Sequence, residues 1–179
     1  MANFMELAPR AQRQIIRRME PLEPPALHQA QAAYGWLELG NVEEAFAELE
    51  RLPEELQSLP AVQAVRLDCL MAAKDWNAAV KLAQVLCGQW AEEPGLWLHH
   101  AYAARRCAGG SIEAAYELLA PCVERFPEEW LIPYNVACYL CQMERLDEAQ
   151  AMLEMARSKG GERVDAMAKD DEDLAPLNL

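Results

Sequence analysis

The residues of this chain that could do chemistry are its cysteines, its histidines and one glycine-rich turn. Cys138 and Cys141 lie one helical turn apart, a spacing found in zinc and redox sites. A structural zinc site also needs a second such pair, or histidines at ligand spacing, and the sequence has neither. We therefore interpret both thiols as reduced residues that line a core or a groove. All six cysteines fall within helical patterns: Cys69, Cys87, Cys107, Cys122, Cys138 and Cys141.

His99 and His100 are adjacent, so on a helix they point about 100° apart and cannot form an i,i+4 ligand pair. We expect one ring to face the core and the other to face solvent. No phosphate loop, nucleophile elbow or H-E-x-x-H motif occurs, and the Gly109-Gly110-Ser111 stretch is typical of a turn followed by a helix cap. The sequence therefore predicts a protein that is not an enzyme and has no metal or cofactor.

The charge balance narrows the classes of partner. The 179 residues include 16 basic and 29 acidic side chains, for a net charge of −13. Nucleic acids and anionic membranes both need clustered lysine and arginine, so we expect neither as a partner. No apolar run approaches the ~20 residues of a membrane-spanning helix. We therefore expect a cytoplasmic protein.

A period of about 34 residues organises the chain from residue 26 onward. Ala45, Ala79, Ala115 and Ala149 follow one another at intervals of 34, 36 and 34 residues. Apolar or small residues recur three before, four after and seven after each alanine, which is one face of an α-helix. These flanking residues are Val42, Trp76, Ile112, Leu146, Leu49, Ala83, Leu119, Leu153, Leu52, Leu86, Cys122 and Ala156.

Prolines and turn residues repeat with the same period. Pro25, Pro60, Pro94 and Pro127 each precede or begin a new helical pattern. Turns are predicted at Gly40-Asn41, Lys74-Asp75, Gly109-Gly110-Ser111 and Glu144-Arg145. Asn41, Asp75 and Ser111 are expected to cap the helices that follow. The third turn carries two additional residues, which we expect to bulge outward.

This pattern resembles the tetratricopeptide repeat, a 34-residue helix-turn-helix unit. Trp97, Ala101, Ala115 and Pro127 match four of its positions in the third unit. The first unit offers Ala33, Gly40 and Ala45, and the fourth offers Ala137 and Ala149. The resemblance implies an all-α fold, an α-solenoid of about four units that form a right-handed superhelix. Its concave face is lined by the first helix of each unit.

The chain divides into three predicted regions. Residues 1–25 form a basic amphipathic helix that caps the array or binds a partner or membrane surface. Residues 26–160 form the array, with units at about 26–59, 60–93, 94–128 and 129–161. Residues 161–179 form a short capping helix and an acidic end, which we expect to be solvated; a tail that competes for the protein's own groove is the alternative.

The resemblance implies a function based on the concave groove, namely binding a peptide or helix of a partner protein. We expect an apolar segment to bind there, with Arg105 or Arg106 holding an acidic group. The predicted groove residues are Tyr34, Leu37, Met71, Leu98, Tyr102, Arg105, Arg106 and Tyr134, with Ala30, Ala64, Asp68, Cys138 and Cys141 on the same face.

Other interpretations remain open at this point. Tyr34, Tyr102 and Tyr134 could serve only to pack helices together. The chain could be a secretion-type chaperone that holds a hydrophobic cargo. It could also be a structural repeat protein that homodimerises through its basic first helix.

Overall fold

The computed structural model describes residues 22–178, so most of the helix predicted for residues 1–25 lies outside the described residues. Within 22–178 all regular secondary structure is helical and there is no strand, which confirms the all-α prediction. The α-helices of this range are α1 (Ala26–Glu38), α2 (Val42–Glu50), α3 (Glu54–Gln57), α4 (Pro60–Ala72), α5 (Trp76–Gln89), α6 (Pro94–Ala104), α7 (Ile112–Leu119), α8 (Cys122–Arg125), α9 (Leu131–Gln142), α10 (Leu146–Gly160) and α11 (Glu162–Ala168). A 3₁₀ helix at Glu172–Leu177 follows them.

The helices belong to two compact units, and the division falls inside α6, between His99 and His100. In the N-terminal unit, described for residues 22–99, α1 packs on α2 and both contact α4, while α4 also contacts α3 and α5. In the C-terminal unit, described for residues 100–178, α9 packs on α7, α8, α10 and the 3₁₀ helix. The helix α10 also contacts α11.

The four predicted turns are confirmed, and they share one backbone feature. Gly40, Lys74, Gly109 and Glu144 all have positive φ, at 75°, 58°, 76° and 60°. This left-handed conformation reverses the chain after a helix and favours glycine, because other residues are strained there by about 1–2 kcal/mol. The backbone requirement therefore repeats in all four turns, although only two of them contain glycine at this position.

Three of the four second helices are capped by the predicted residues. The side chains of Asn41, Asp75 and Ser111 accept hydrogen bonds from the backbone N–H three residues later, at 3.2, 3.1 and 3.1 Å. These bonds satisfy N–H groups that a helix leaves unpaired at its start. The fourth helix, α10, begins after Arg145 and has no side-chain cap.

The predicted apolar stripe is buried at three of its four positions. The period alanines and the residues four and seven positions after them are buried in every unit. The position three before the alanine is less enclosed, and Leu146 is 40% exposed there. Leu146 is the first residue of α10, so it lies at the edge of the contact between helices. The stripe therefore begins one turn later than the sequence predicts.

The third turn, Arg105 to Ser111, depends on the absence of a side chain at Gly110. A Cβ atom there would lie 2.0 Å from the Ala104 carbonyl oxygen and 3.0 Å from that of Cys107. Both atoms belong to the backbone and cannot rotate away. We expect Gly110→Ala to lower the free energy of unfolding by about 3 kcal/mol, at the upper end of overpacking effects, in urea denaturation.

Gly35→Ala is the matched control. Gly35 lies inside α1, where an added Cβ meets nothing within 4 Å. The same substitution should therefore raise stability by about 0.5–1 kcal/mol through helix propensity. Similar losses at both positions would contradict the close approach at Gly110.

Candidate functional site

The candidate site lies in the C-terminal unit, where residues 171–177, called here the C-terminal segment, fold back onto the protein. The 3₁₀ helix of this segment packs against α9 and α10. Leu174 is fully buried and Asp171 is 5% exposed. The expectation that the acidic end is solvated is therefore wrong for these two residues. It fails because the Asp171 carboxylate accepts a hydrogen bond from Tyr134, on a helix distant in sequence, and the apolar Leu174 is removed from water.

Two carboxylates of the C-terminal segment are bound by side chains of the unit. The Tyr134 hydroxyl, on α9, donates a hydrogen bond of 2.9 Å to Asp171 Oδ2. Arg105, just after α6, donates from Nη1 to Asp173 Oδ2 at 3.2 Å, and both side chains are largely shielded from water. Charge-assisted hydrogen bonds of this kind are stronger than neutral ones. Arg105, Tyr134 and Cys138, all predicted groove residues, form what we call the segment site.

The local sequence explains how the segment presents these groups. Asp171 precedes the 3₁₀ helix, and its Oδ1 accepts a hydrogen bond of 3.1 Å from the backbone N–H of Asp173. Aspartate is a preferred residue at this capping position. One carboxylate therefore caps its own turn through Oδ1 and binds Tyr134 through Oδ2.

Tyr134 and Cys138 act as hydrogen-bond donors to Asp171. Burial raises the pKa of Tyr134, and the nearby Cys138 and Asp171 raise it further. Burial also raises the pKa of the Cys138 thiol well above its ordinary value, as do the charges of Asp171 and Asp173. Both groups stay protonated at neutral pH, and the Cys138 thiol points to Asp171 Oδ2 at 3.7 Å. Asp171 Oδ2 thus accepts hydrogen bonds from two neutral donors.

Cys138, Asp171 and Asp173 also bring three possible metal ligands within 4.8 Å of one another. Asp171 and Asp173 already accept hydrogen bonds from Tyr134 and Arg105. The arrangement is therefore better explained as a hydrogen-bonded contact between segment and unit than as a metal centre.

Arginine–aromatic contacts support the segment site. The Arg105 guanidinium lies 5.5 Å from the ring centre of Tyr139, and that of Arg106 lies 3.5 Å from the ring centre of Tyr102. Arg106 Nη1 also donates to the Tyr102 carbonyl oxygen at 3.1 Å. Stacking on an aromatic ring restrains a flexible guanidinium. Arg105 is thus held close to the carboxylate that it binds.

A second cluster is buried in the N-terminal unit. The Tyr34 hydroxyl donates to Asp68 Oδ2 at 2.7 Å, and His99 Nε2 lies 3.0 Å from Asp68 Oδ1. His99 Nδ1 lies 2.6 Å from the Gly95 carbonyl oxygen. The Gly95 carbonyl oxygen accepts from Nδ1–H, and the raised pKa of His99 favours a second proton on Nε2, which faces Asp68. His99 is therefore an imidazolium paired with Asp68 and lacks a nitrogen that could act as a base.

The pKa of His99 agrees with this assignment. Burial lowers it, but the hydrogen bond and charge of Asp68, together with the Gly95 carbonyl, raise it above the ordinary value. Tyr34, Asp68 and His99 are arranged like a relay of acid and base groups. The cluster is buried, however, and both ring nitrogens of His99 already have a partner. We interpret it as a structural ion pair inside the unit.

The prediction that one of the two adjacent histidines faces solvent is wrong. His99 and His100 are 2% and 8% exposed. The reason is the composition of α6, in which Leu96, Leu98 and Ala103 are also buried. Burial in this helix is therefore not confined to one face. Burial lowers the pKa of His100, so this ring stays neutral.

The eight predicted groove residues divide between enclosed and partly accessible positions. Tyr34, Met71, Leu98 and Tyr134 are buried, and Leu37, Tyr102, Arg105 and Arg106 are half-buried. The structure joins Tyr134 and Arg105 through the C-terminal segment, and it joins Tyr34 to Asp68. The sequence did not identify Asp171, Asp173 and Leu174 as site residues. The available signal was the Asp-x-Asp-Leu pattern, a cap followed by a single apolar residue.

No protein-family model, curated protein or solved structure matches the sequence. In residues 22–178, no helix has the length and apolar character needed to cross a membrane.

Proposed function

We propose that this chain is a non-catalytic protein-interaction module that binds a segment of a partner protein. The observation that carries the proposal is the segment site, where a short acidic stretch with one buried leucine lies against α9 and α10. Apolar anchoring and arginine–carboxylate pairing are the means by which protein interfaces bind peptides. The C-terminal segment serves as an example of such a ligand within the same chain.

The proposal extends to the arrangement of the helices. We propose that the four helix pairs stack as tetratricopeptide-like units in a right-handed α-solenoid, and that the first helices line the groove. The repeated left-handed turns and the buried alanine of each second helix support this, because both are requirements of a regular helix-turn-helix repeat. We further propose that the module acts as an adaptor in the cytoplasm.

The test is a peptide library displayed against the 179-residue chain. We expect the protein to enrich a set of peptides, and we expect the double variant Tyr102→Ala/Arg105→Ala to bind them at least about tenfold more weakly. The reason is that loss of a partly desolvated charge pair and an aromatic contact removes more than about 1.4 kcal/mol. Affinities of the enriched peptides are measured by fluorescence anisotropy.

Arg157→Ala is the matched control. Arg157 lies on α10 and pairs with Asp165 at 2.7 Å, on the partly exposed surface of the same unit. Its replacement should leave peptide binding unchanged. Circular dichroism checks that each variant is folded. Equal binding by the double variant and the wild type would refute the groove assignment.

A further inference from the structure

We infer that the segment site recognises partner segments of the pattern Asp-x-Asp-Leu, and that residues 171–174 of this chain occupy it as a built-in competitor. The inference rests on the proposed function and adds to it the chemistry of the ligand. Each feature of the pattern has its own partner in the structure. The first aspartate binds Tyr134, the second binds Arg105, and the leucine is the anchor that is removed from water.

The spacing of the pattern follows from the geometry of the site. Asp171 and Asp173 are two residues apart, and the hydrogen bond from the Asp173 N–H to Asp171 Oδ1 turns the chain between them. This turn directs both carboxylates towards the unit, while Glu172 between them is exposed. The residue between the two aspartates can therefore vary. The aspartate positions and the leucine cannot.

The charges on each side select the ligand. Tyr134 and Cys138 donate hydrogen bonds to the first carboxylate, that of Asp171. Arg105 forms an ion pair with the second, that of Asp173. A basic segment would place a positive charge against Arg105. A neutral apolar segment would leave the Arg105 guanidinium without its carboxylate, at a cost in desolvation. Acidic segments with a leucine are thus favoured.

The bound segment is suited to displacement. Its 3₁₀ helix is six residues long, and Leu174 is its single fully buried apolar side chain. Residues 170–173 are four consecutive acids in a chain of net charge −13, so they repel one another and the rest of the protein. A partner segment with fewer charges avoids this repulsion. Until it is displaced, the tethered segment lowers the apparent affinity for any partner, because its effective concentration is high.

The experiment uses fluorescence anisotropy to measure the affinity of a synthetic peptide with the sequence of residues 169–178. The peptide is titrated with the wild-type 179-residue chain and with its variants. The wild type should bind the peptide weakly, because its own segment competes. Leu174→Ala in the protein should tighten binding by about tenfold or more, since loss of a buried leucine weakens the tethered competitor. Leu174→Ala combined with Arg105→Ala should lose this gain.

Asp173→Asn in the protein is the second variant, and it keeps Leu174 in place. It removes one charge from the competitor and should tighten peptide binding by about twofold to fivefold. A scrambled peptide of the same composition is the control for charge, and it should bind at least about tenfold more weakly to Leu174→Ala. Equal binding of the peptide to wild type, Leu174→Ala and Asp173→Asn would overturn the competition. Equal binding of the scrambled peptide would overturn the pattern.

Light scattering on the wild type tests whether the segment binds in the same molecule. A monomer mass supports the intramolecular arrangement, whereas a dimer that dissociates on addition of the peptide would overturn it in favour of exchange between two copies. The displayed library separates this inference from the proposed function. Enriched peptides that lack Asp-x-Asp-Leu, yet depend on Tyr102 and Arg105, would preserve the function and refute the pattern. A library without any binder would refute both.

Discussion

Asp68→Ala is expected to lower the free energy of unfolding by about 3–5 kcal/mol, which is the range for breaking a buried ion pair by removing one partner. Asp68 is the common acceptor for the Tyr34 hydroxyl at 2.7 Å and for His99 Nε2 at 3.0 Å. Its removal leaves a buried imidazolium and a buried phenol without their carboxylate. Urea denaturation followed by circular dichroism measures the loss.

The pH dependence provides an independent check on the pair. The pKa of His99 is raised in the folded protein, so its ionisation stabilises the fold fully below its ordinary pKa of 6.5 and loses this effect as the pH rises through the folded value. The stability difference between wild type and Asp68→Ala should therefore decrease with rising pH. A difference that grew with pH would contradict the assignment of His99 as an imidazolium.

Two further variants distinguish the loss of the Asp68–His99 ion pair from the general effect of removing an acidic side chain. Tyr34→Phe removes one hydrogen bond and should cost about 1–1.5 kcal/mol. Asp147→Ala removes an exposed carboxylate from α10 and should change stability by less than about 1 kcal/mol. We expect the loss in free energy of unfolding to be largest for Asp68→Ala, smaller for Tyr34→Phe and smallest for Asp147→Ala.

Leu153→Ala is expected to lower the free energy of unfolding by about 3 kcal/mol, within the range for removing a buried leucine. Leu153 lies on α10 and is 0% exposed. It occupies the position four residues after the period alanine, which is buried in every unit. The substitution leaves a cavity where α10 packs against α9, and two packed helices cannot easily move together to fill it.

Leu146→Ala is the control in the same helix. Leu146 is 40% exposed at the first position of α10, so the same substitution should cost less than about 1 kcal/mol. Equal losses in free energy of unfolding at Leu146 and Leu153 would contradict the burial of Leu153 and the exposure of Leu146 on α10.

The repeated helix-turn-helix pattern was predictable because its causes are local. A cap such as Asn41 binds an N–H three residues away, and a left-handed residue such as Gly40 ends the helix next to it. The spacing of buried alanines follows from 3.6 residues per turn. Each of these signals lies within a few residues of the structure that it produces, so the sequence shows it directly.

The chemical partners of the two clusters were not predictable in the same way. Arg105 and Asp173 are 68 residues apart, and Tyr134 and Asp171 are 37 apart. The capping pattern at Asp171 predicts a turn, but nothing near it in the sequence identifies Tyr134 as the partner of its carboxylate. The same holds for His99, whose partner Asp68 lies on another helix, α4.

The sequence by itself therefore determined the all-α class, the period, the turns and three of the helix caps. Only the tertiary structure decided that the C-terminal segment lies on Arg105 and Tyr134, and that Asp68 binds both Tyr34 and His99. The physical reason is that helix formation depends on neighbours in sequence. The pairing of a buried charge depends on which distant side chain packing brings within hydrogen-bond distance.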